Sequence, residues 1–551
     1  MILLSVPEDG LAYYDTLVRA RALYQGDKFA ELEPLAERLA REYPRDPWNW
    51  LMLGRTKFRL NKYDQAISAW EKAGPLIGWD LQFPNAYRVA LGYAAAGNKR
   101  AALDMLRRTI FEQHGFYRVD LYDWPEFASL KDDPEFLEII GRPDTTSWSR
   151  DRGWTYDIDF LYNEAKRVNP DYRAQPFPAE LTRRYEELKR NASKLSDEEV
   201  FVGMGHMLAA LHQGHVALWS PPNDRYLPVR LYAFPEGIFI VEASDEHKDL
   251  VGSRVVAFGS VPAEELLRRL SECLSTDGDM QYLWGVSRLA ETAYLKGLGA
   301  TRSVDSVDLT VQPPGGVVRK VALATLATGP AGRQDKLVAP PGVTPPLFLR
   351  DLTQHHWELA LPEHDALYVQ VNNLLDEEGE TGETLAQLGR RLWTVIEKTS
   401  PKNLILDIRH NNGGTTQLYP ELLRTLIAFS RISGNQVYVL IGRRSYSATG
   451  NFVTDLERLT DPIFVGEASS ECCNLYGDPT RVILPYSKTQ GELTAVKWNL
   501  SNPSDRRREI SPEVPVQLTA PAYFAGQDPA MEAIYRLIAR LSKGEDLKRF
   551  P

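Results

Sequence analysis

The sequence predicts a multidomain protein of the α + α/β class, made of a helical repeat array, a helical segment, a β-rich module and an α/β core. Three observations predict this class. Helix–turn–helix stretches recur in the first 115 residues, short strands dominate from 226 to 330, and strands alternate with helices from 331 to 551. Such alternation favours a mostly parallel sheet with crossover helices. The 551 residues allow about three to four domains.

Composition excludes several classes of protein. Hydrophobic residues make up 43% and charged residues 25%, which is typical of a globular chain and not of a disordered one. The net charge of 64 − 74 = −10 argues against a nucleic-acid-binding protein. The three cysteines, Cys273, Cys472 and Cys473, suffice neither for a disulfide framework nor for the spacing of metal ligands.

Hydropathy and the N-terminus bear on location. No apolar run reaches the ~18 residues that span a membrane. Residues 1–10 lack a basic n-region and contain only a short apolar stretch, so we expect no signal peptide and a cytoplasmic protein. If the start is truncated, the expectation is an exported protein instead.

Residues 1–115 are repetitive. The stretch 22–29 recurs loosely around Tyr63 and again before Arg100, and Phe29 and Tyr63 are 34 positions apart. This period resembles that of tetratricopeptide repeats, of which about three must stack to bury their apolar faces. The resemblance implies a protein partner at the helical repeats. A plain helical bundle is the alternative interpretation.

The middle of the chain contains two further regions after a connector at 116–150. Residues 151–225 predict a helical segment in which Ser196 caps a helix with an acidic first turn. That helix ends in the run His212-Gln213-Gly214-His215. Residues 226–330 predict short strands and a helix, and this module looks like a PDZ-type domain. A PDZ-like module implies binding of a peptide end or edge by strand addition.

The last region, 331–551, predicts the α/β core. The expected strands are 367–371, 404–408, 437–441 and 463–465, with helices that start near Thr384, Leu418 and Ala448. The strand at 404–408 leads into the polar turn His410-Asn411-Asn412-Gly413-Gly414. Adjacent glycines expose backbone N–H groups that could hold an oxyanion, although Asn-Gly turn chemistry alone also explains this stretch.

A serine follows the next strand, in the stretch Arg443-Arg444-Ser445-Tyr446-Ser447-Ala448. At a strand-to-helix junction, Ser447 presents its hydroxyl at a helix N-terminus, where the dipole favours negative charge. This placement suits a nucleophile that uses the N–H of Ala448 as an oxyanion donor. The alternative is that Ser447 is only a helix N-cap.

The two motifs together show a family resemblance. LILDIRHNNGG, about thirty residues of helix and strand, RRSYSATGNF and then IFVGEASS resemble the C-terminal processing (tail-specific) serine peptidases. The core of these peptidases is related to the ClpP/crotonase spiral fold. The upstream stretches RGWTYDIDFLYNEAKRVNP and MLAALHQGHVAL also fit, so that the resemblance covers roughly residues 150–545.

The resemblance implies a histidine base. Tail-specific members use a lysine about 25 residues after the serine, but the corresponding window, 467–474, contains no lysine. The branch of tricorn core proteases and the chlamydial protease-like activity factor takes a histidine from the segment before the PDZ-like module. The matching histidine is His215, although Gly214 stands where tricorn-type enzymes have a serine. His206 and His212 are neighbouring alternatives, and a structural role for His215 is another.

The resemblance also implies an acid near the C-terminus, for which Asp505 is the candidate. The alternative for Asp505 is a surface ion pair with the run Arg506–Arg508. The implied oxyanion donors are the N–H of Ala448 and one N–H of Gly413 or Gly414.

The predicted function is therefore a serine peptidase that acts on peptide or protein substrates through an acyl-enzyme. His215 would take the proton of Ser447, and neither a metal nor a cofactor is required. The main alternative is a catalytically inactive, peptidase-like scaffold that binds partners through its repeats and PDZ-like module. A non-peptidase hydrolase or crotonase-like acyl enzyme is the second alternative.

Overall fold

The structure is a computed structural model that describes residues 8–219, 221–222, 224–276, 280–327, 337–376 and 382–544, without the side chains of 8–12, 79–83 and 280–283. Residues 1–7, which bear on the signal-peptide expectation, and 328–330, the expected end of the β-rich module, lie outside the described residues. The chain divides into two compact units, residues 1–168 with 480–487, and residues 169–479 with 488–551. Within the described ranges, no helix has the length and apolarity needed to cross a membrane.

The first unit is helical apart from the strand Thr480–Ile483. Its helices are α1 (Glu8–Gln25), α2 (Phe29–Glu42), α3 (Pro47–Arg59), α4 (Tyr63–Ala73), α5 (Trp79–Ala95), α6 (Lys99–Arg107), α7 (Pro134–Ile139) and α8 (Arg150–Val168). From α1 to α6, each helix packs against the next one along the chain. The chain reverses through Asp27 (φ 52°), Asn61 (φ 59°) and Gly97 (φ 78°), whose left-handed conformation suits short turns.

A close approach between helices explains one glycine of this array. On α3, Gly54 lies against the Trp70 indole of α4, and a Cβ at Gly54 would be 2.3 Å from Trp70 Nε1. Trp70 and its neighbours Ala66 and Ala73 are buried and form the apolar face of α4. The predicted helix pairs are therefore present, while their interpretation as tetratricopeptide repeats stays a prediction.

The second unit mixes helices and sheets. Its helices are α9 (Ala179–Asn191), α10 (Asp197–Ala209), α11 (Ala263–Ser271), α12 (Met280–Arg288), α13 (Thr292–Gly297), α14 (Leu385–Thr399), α15 (Pro420–Ser430), α16 (Ala448–Leu459), α17 (Ala520–Phe524) and α18 (Pro529–Leu541). The predicted N-cap of α10 is confirmed and is part of a capping box, since Ser196 Oγ accepts the Glu199 N–H while the Glu199 carboxylate accepts the Ser196 N–H.

An antiparallel sheet follows α10 and the short strand β1 (Ala217–Leu218). Its strands are β2 (Val229–Phe234), β3 (Gly237–Ala243), β4 (Arg254–Phe258), β5 (Val261–Pro262), β6 (Ser306–Gln312) and β7 (Arg319–Ala324). The hydrogen-bonded order is β2-β3-β4-β6-β7, and β5 pairs with β4. The amphipathic helix α11 buries Leu266, Leu267 and Leu270 and contacts β4. The strands predicted in this region are thus observed.

The core sheet contains β8 (His356–Leu361), β9 (Ala366–Val371), β10 (Asn403–Asp407), β11 (Gln436–Ile441), β12 (Ile463–Gly466) and the strand Val514–Pro515. Their order is Val514–Pro515, β12, β11, β10, β9, β8, and all neighbouring pairs are parallel except β8 with β9. Every residue of β9 and β10 is buried, as expected for strands covered on both faces. The shorter strands of this unit are β13 (Tyr476–Gly477), Gln490–Leu493 and Val496–Lys497.

Candidate active site

The two predicted motifs meet at one edge of the core sheet. Because β10 and β11 pair in parallel, with Asp407 beside Leu440, the loops at their carboxyl ends are neighbours. The loop after β10 contains Gly413 and Gly414, and the loop after β11 ends in Ser447 at the start of α16. Gly413 (φ 107°) lies against Ser447, since a Cβ at Gly413 would be 2.7 Å from the Ser447 Cβ.

Ser447 has an unusual backbone for a serine. Its φ of 57° and ψ of −128° place it in a sparsely populated region, and its side chain makes no capping hydrogen bond to α16. A non-glycine residue held in such a conformation costs about 1–3 kcal/mol, and such residues cluster at functional sites. By contrast, Ser445 is fully buried and its hydroxyl donates to the Ile408 carbonyl at 3.1 Å.

His215 lies beside this serine. The His215 Nε2 is 3.0 Å from the Ser447 Oγ, which is hydrogen-bond distance. The imidazole is only 7% exposed. Of the two alternative histidines, His212 is exposed. The other, His206, has a pKa that is lowered by burial and by the nearby Arg184 charge. The structure therefore brings together the two residues predicted as nucleophile and base.

A carboxylate that sequence reasoning missed, Glu471, completes the cluster. Glu471 is fully buried. Its Oε2 accepts the Ser447 backbone N–H at 2.9 Å, and its Oε1 is 3.7 Å from the His215 Nδ1. Burial disfavours the charged imidazole, but the negative charge of Glu471 outweighs this effect and raises the pKa of His215 above its usual value.

Gly214 is a glycine for a steric reason. A Cβ at this position would be 1.9 Å from the Glu471 Oε1 and 3.1 Å from the Tyr446 hydroxyl oxygen. The room that a serine would occupy in a tricorn-type enzyme is therefore filled by oxygen atoms of Glu471 and Tyr446. A side chain at position 214 would therefore displace the Glu471 carboxylate.

Tyr446 is the second residue that sequence reasoning missed. Its ring stacks on the His215 imidazole with centroids 4.6 Å apart. The Tyr446 hydroxyl oxygen accepts the His215 backbone N–H at 2.8 Å and also lies 2.8 Å from the His215 Nδ1. If Nδ1 bears the imidazole proton, it donates to this oxygen and leaves the Nε2 lone pair facing Ser447.

Asp505 is not brought to the imidazole. Its carboxylate accepts hydrogen bonds from Ser501 Oγ at 2.7 Å and from Arg507 at 2.9 Å. The Arg507 guanidinium, with Ser501, lowers the pKa of Asp505. This surface pair is the alternative that the sequence left open, and the described contacts include none between Asp505 and His215. The carboxylate beside His215 belongs to Glu471.

The predicted oxyanion donors differ in their hydrogen bonds. The Gly413 N–H donates to Asn411 Oδ1 at 3.0 Å, and the same oxygen accepts the Thr449 hydroxyl at 2.6 Å. The N–H groups of Ala448 and Gly414 donate to no residue that the structure describes. Of the two glycines, Gly414 thus retains the uncommitted donor.

The segment around Glu471 is fixed on both sides. The Ser469 hydroxyl donates to the Glu471 carbonyl at 3.0 Å. Cys472 and Cys473 form a disulfide between adjacent residues, which the sequence reasoning had not considered, and the Cys473 N–H donates to Thr454 Oγ1 at 2.8 Å. These contacts keep the Glu471 carboxylate in place. In the described ranges, no group of three or more His, Cys, Asp or Glu side chains could hold a metal ion.

Comparison with known proteins gives a fold. No protein-family model and no curated protein matches the sequence. A solved structure of a CPAF mutant has a TM-score of 0.52 at 13% identity and covers 72% of this chain and 98% of that one. Mature CPAF complexed with lactacystin has a TM-score of 0.51 at 12% identity and covers 72% of this chain and 99% of that one.

The fold class is therefore that of a multidomain α/β protein. More particularly, it is similar to the fold of CPAF, so the predicted multidomain α/β class is confirmed. At this level of identity the likeness concerns the fold, and the chemistry has to be argued from the side chains of this chain.

Proposed function

We propose that this protein is a serine peptidase in which Ser447 is the nucleophile and His215 the general base. The observation on which the proposal rests is the 3.0 Å distance between the Ser447 Oγ and the His215 Nε2. At this distance the imidazole takes the serine proton as Oγ attacks a carbonyl carbon, and then returns the proton to the leaving amine. Water then attacks the acyl-enzyme, with His215 again acting as the base, and releases the acyl group from Ser447.

In this proposal Glu471 replaces Asp505 as the acid. Its buried negative charge stabilises the imidazolium that forms when Ser447 loses its proton. Its hydrogen bond to the Ser447 N–H also fixes the strained backbone of the nucleophile. One carboxylate thus supports both members of the catalytic pair.

The oxyanion of the tetrahedral intermediate would be held by the N–H groups of Ala448 and Gly414. Ala448 is the first residue of α16, where the helix dipole adds to the hydrogen bond. Gly413 serves a steric role in this scheme, since only a residue without a side chain fits against Ser447.

The finer interpretation of the modules belongs to the same proposal. We assign the core as ClpP/crotonase-like, the β2–β7 sheet as a PDZ-like module that receives a peptide end or edge, and α1–α6 as tetratricopeptide-like repeats that recruit a partner. The substrates are peptides or proteins, because a PDZ-like sheet next in sequence to the core supplies strand edges for extended chains.

Labelling with a fluorophosphonate probe tests the proposal. We expect the probe to modify Ser447, and we expect Ser447→Ala and His215→Ala to abolish both labelling and hydrolysis of a fluorogenic casein substrate. Ser445→Ala and His212→Ala are the matched controls, because these residues lie two and three positions away in the sequence from the proposed nucleophile and base. Both variants should retain labelling.

Two results would contradict the proposed peptidase function. An unlabelled Ser447, under conditions in which a control hydrolase reacts, would leave the inactive scaffold as the function. Labelling without cleavage of any protein or peptide substrate would indicate a hydrolase of other acyl compounds.

A further inference from the structure

The segment 469–473, which carries the proposed acid and the disulfide, is buried throughout. The Ser470 N–H donates to the Ser445 carbonyl at 3.0 Å, in the loop that leads to the nucleophile. At the other end, the Cys473 N–H donates to Thr454 Oγ1 at 2.8 Å, on α16. The segment thus joins the two elements that flank the nucleophile, so that its path fixes the position of the acid.

Cys473 has a backbone conformation that is uncommon for a residue with a side chain. Its φ is 71°, and the left-handed region costs such a residue about 1–2 kcal/mol. The disulfide to Cys472 closes a small ring that contains the peptide bond between the two residues and the N–Cα bond of Cys473. Closing this ring restricts rotation about φ. When the S–S bond opens, the restriction is lost, and Cys473 can return to an ordinary negative φ.

The two cysteine side chains are packed in the apolar core of the second unit. They belong to the same buried cluster as Phe452 of α16. Glu471 beside them lies tight against that helix, since a Cβ at Gly450 would be 3.0 Å from the Glu471 carbonyl oxygen. Two thiol sulfurs cannot approach to bonding distance, so the reduced pair needs more room than the disulfide. Excess volume in a close-packed core costs about 1–3 kcal/mol and is relieved by shifts of the backbone.

Glu471 tolerates little movement in its proposed role. Its Oε2 accepts the Ser447 N–H at 2.9 Å, and its Oε1 is 3.7 Å from the His215 Nδ1. A shift of about 1 Å takes the hydrogen bond out of its favourable range, and a misplacement of that size costs up to about 10²-fold in rate. Because Cys472 follows Glu471 directly in the chain, a movement of the cysteine pair reaches the acid.

We propose that the redox state of Cys472 and Cys473 controls the reactivity of Ser447. In the disulfide form, the segment 469–473 holds the Glu471 carboxylate against the nucleophile and the imidazole. In the dithiol form the segment relaxes and the carboxylate withdraws. The cysteine pair is therefore a positioning element and not a catalytic group. This inference rests on the proposed peptidase function.

The chemistry of the pair is a thiol–disulfide exchange. One cysteine thiolate attacks an external disulfide, R–S–S–R, and forms a mixed disulfide with release of one R–SH. The second cysteine thiolate then attacks the protein sulfur of the mixed disulfide and releases the other R–SH. The protein gives up two electrons and two protons as its S–S bond forms, and the external disulfide is reduced to two thiols.

Burial makes the disulfide form persistent. Cys472 is 2% exposed and Cys473 is fully buried, and the rate of exchange depends on access to the sulfur. An external thiol therefore reduces the pair only when the segment 469–473 opens. A chain that folds while reduced would keep a low activity until it meets an oxidising compartment.

Labelling rates in the two redox forms test the proposal. The full-length protein is treated with oxidised glutathione or with dithiothreitol, and alkylation with iodoacetamide followed by mass spectrometry reports the state of both cysteines. We expect the fluorophosphonate probe to label Ser447 about 10–100-fold more slowly in the dithiol form, and oxidised glutathione to restore the rate. Burial lowers the pKa of His215, while the charges of Glu471 and, more weakly, Glu492 raise it. The pH midpoint of labelling should therefore also fall when Glu471 moves away.

Hydrogen exchange gives a second measurement that needs no catalysis. The Ser447 N–H donates to the Glu471 carboxylate, so reduction should speed the exchange of this amide several-fold or more. Mass spectrometry of the peptide that contains Ser447 follows this exchange.

The variant Cys472→Ser/Cys473→Ser cannot close the ring and should label at the slow rate of the dithiol form, with or without oxidised glutathione. The matched control is Cys273→Ser, which removes a buried thiol whose pKa is raised to about 12 by burial. This control should label, and respond to dithiothreitol, like the parent. If the double variant fails to fold, as judged by circular dichroism, the parent reduced in dilute urea that is then removed takes its place.

The outcomes separate this proposal from the peptidase function. Equal labelling rates in both redox forms, or faster labelling after reduction, would overturn control by the cysteine pair and leave the peptidase in place. Slower labelling with an unchanged pH midpoint and unchanged exchange at Ser447 would reduce the disulfide to a structural role. An unlabelled Ser447 in both forms, with exchange that is still faster after reduction, would contradict the peptidase and support the coupling of the pair to Glu471.

Discussion

Two buried glutamates, Glu164 in the first unit and Glu471 in the second, are neutralised by different kinds of partner. Glu164 is bound by two arginines, Arg118 and Arg167, both buried as well. Burial alone would raise the pKa of Glu164, but the two guanidinium charges outweigh it and lower the pKa. This carboxylate is permanently compensated, since arginine does not lose its proton.

Glu471 lies beside partners of another kind. It faces the titratable imidazole of His215 and the neutral N–H of Ser447. The positive charge on this partner appears only when the imidazole takes a proton, which is the state that forms during acyl transfer. The difference separates a carboxylate that stabilises the fold from one that stabilises a transient charge.

Glu471→Gln should give the largest effect. The variant keeps the size of the side chain but removes the charge that stabilises the imidazolium, so we expect hydrolysis and fluorophosphonate labelling to fall by about 10³–10⁴-fold. The melting temperature of the protein should change little. Asp505→Asn is the matched control and should retain activity, because Asp505 pairs with Arg507 at the surface. Loss of activity in Asp505→Asn with a fully active Glu471→Gln would restore Asp505 as the acid.

Glu164→Gln should have the opposite effect to Glu471→Gln, lowering the stability of the protein and leaving its labelling rate unchanged. Removing one member of a buried ion-pair cluster leaves Arg118 and Arg167 with uncompensated charges, which costs about 3–5 kcal/mol of unfolding free energy. Urea denaturation followed by fluorescence would measure this loss. The labelling rate of the remaining folded protein should equal that of the parent. A stable variant with slow labelling would contradict the distinction between the two glutamates.

How far the sequence predicts the fold depends on the kind of element. The buried strands β9, β10 and β11 were expected within one residue of their observed bounds, since continuous apolar runs between turn residues define such strands. Strand β8, the antiparallel edge strand, was not expected. Only its first and last residues are buried, so that the run 356–361 lacks a clear apolar pattern.

The candidate site was predictable for residues that lie in local motifs. Ser447, Gly413 and His215 each follow a strand or a helix in a motif that is visible in the sequence. Glu471 lies 24 positions after Ser447, in the window where tail-specific peptidases have a lysine, and a carboxylate in this window is a signal visible in the sequence. The contact between Tyr446 and His215 spans 231 positions, and nothing local in the sequence indicates it.

Tyr446→Phe tests whether the Tyr446 hydroxyl, in addition to Glu471, supports the His215 imidazole. The variant keeps the ring stacked on His215 but removes the hydroxyl oxygen that lies 2.8 Å from Nδ1. We expect the labelling rate to fall about tenfold, the loss of one hydrogen bond to a group that becomes charged. Tyr419→Phe, which removes a buried hydroxyl bonded to Asp455, is the matched control and should label like the parent. Equal rates in both variants would exclude Tyr446 from positioning the imidazole.

The pH dependence should show the smallest effect and test the same comparison. Protonation of His215 removes the base, so the labelling rate should fall as pH decreases through the pKa of His215. Because the Glu471 charge raises this pKa, the midpoint should lie above the usual value of about 6.5. In Glu471→Gln the charge is absent while burial remains, and the midpoint of the residual rate should move to lower pH. In the control Glu164→Gln, the midpoint of the labelling rate should equal that of the parent, because Glu164 pairs with arginines. If Glu471→Gln leaves the midpoint unchanged, the Glu471 charge does not influence the imidazole.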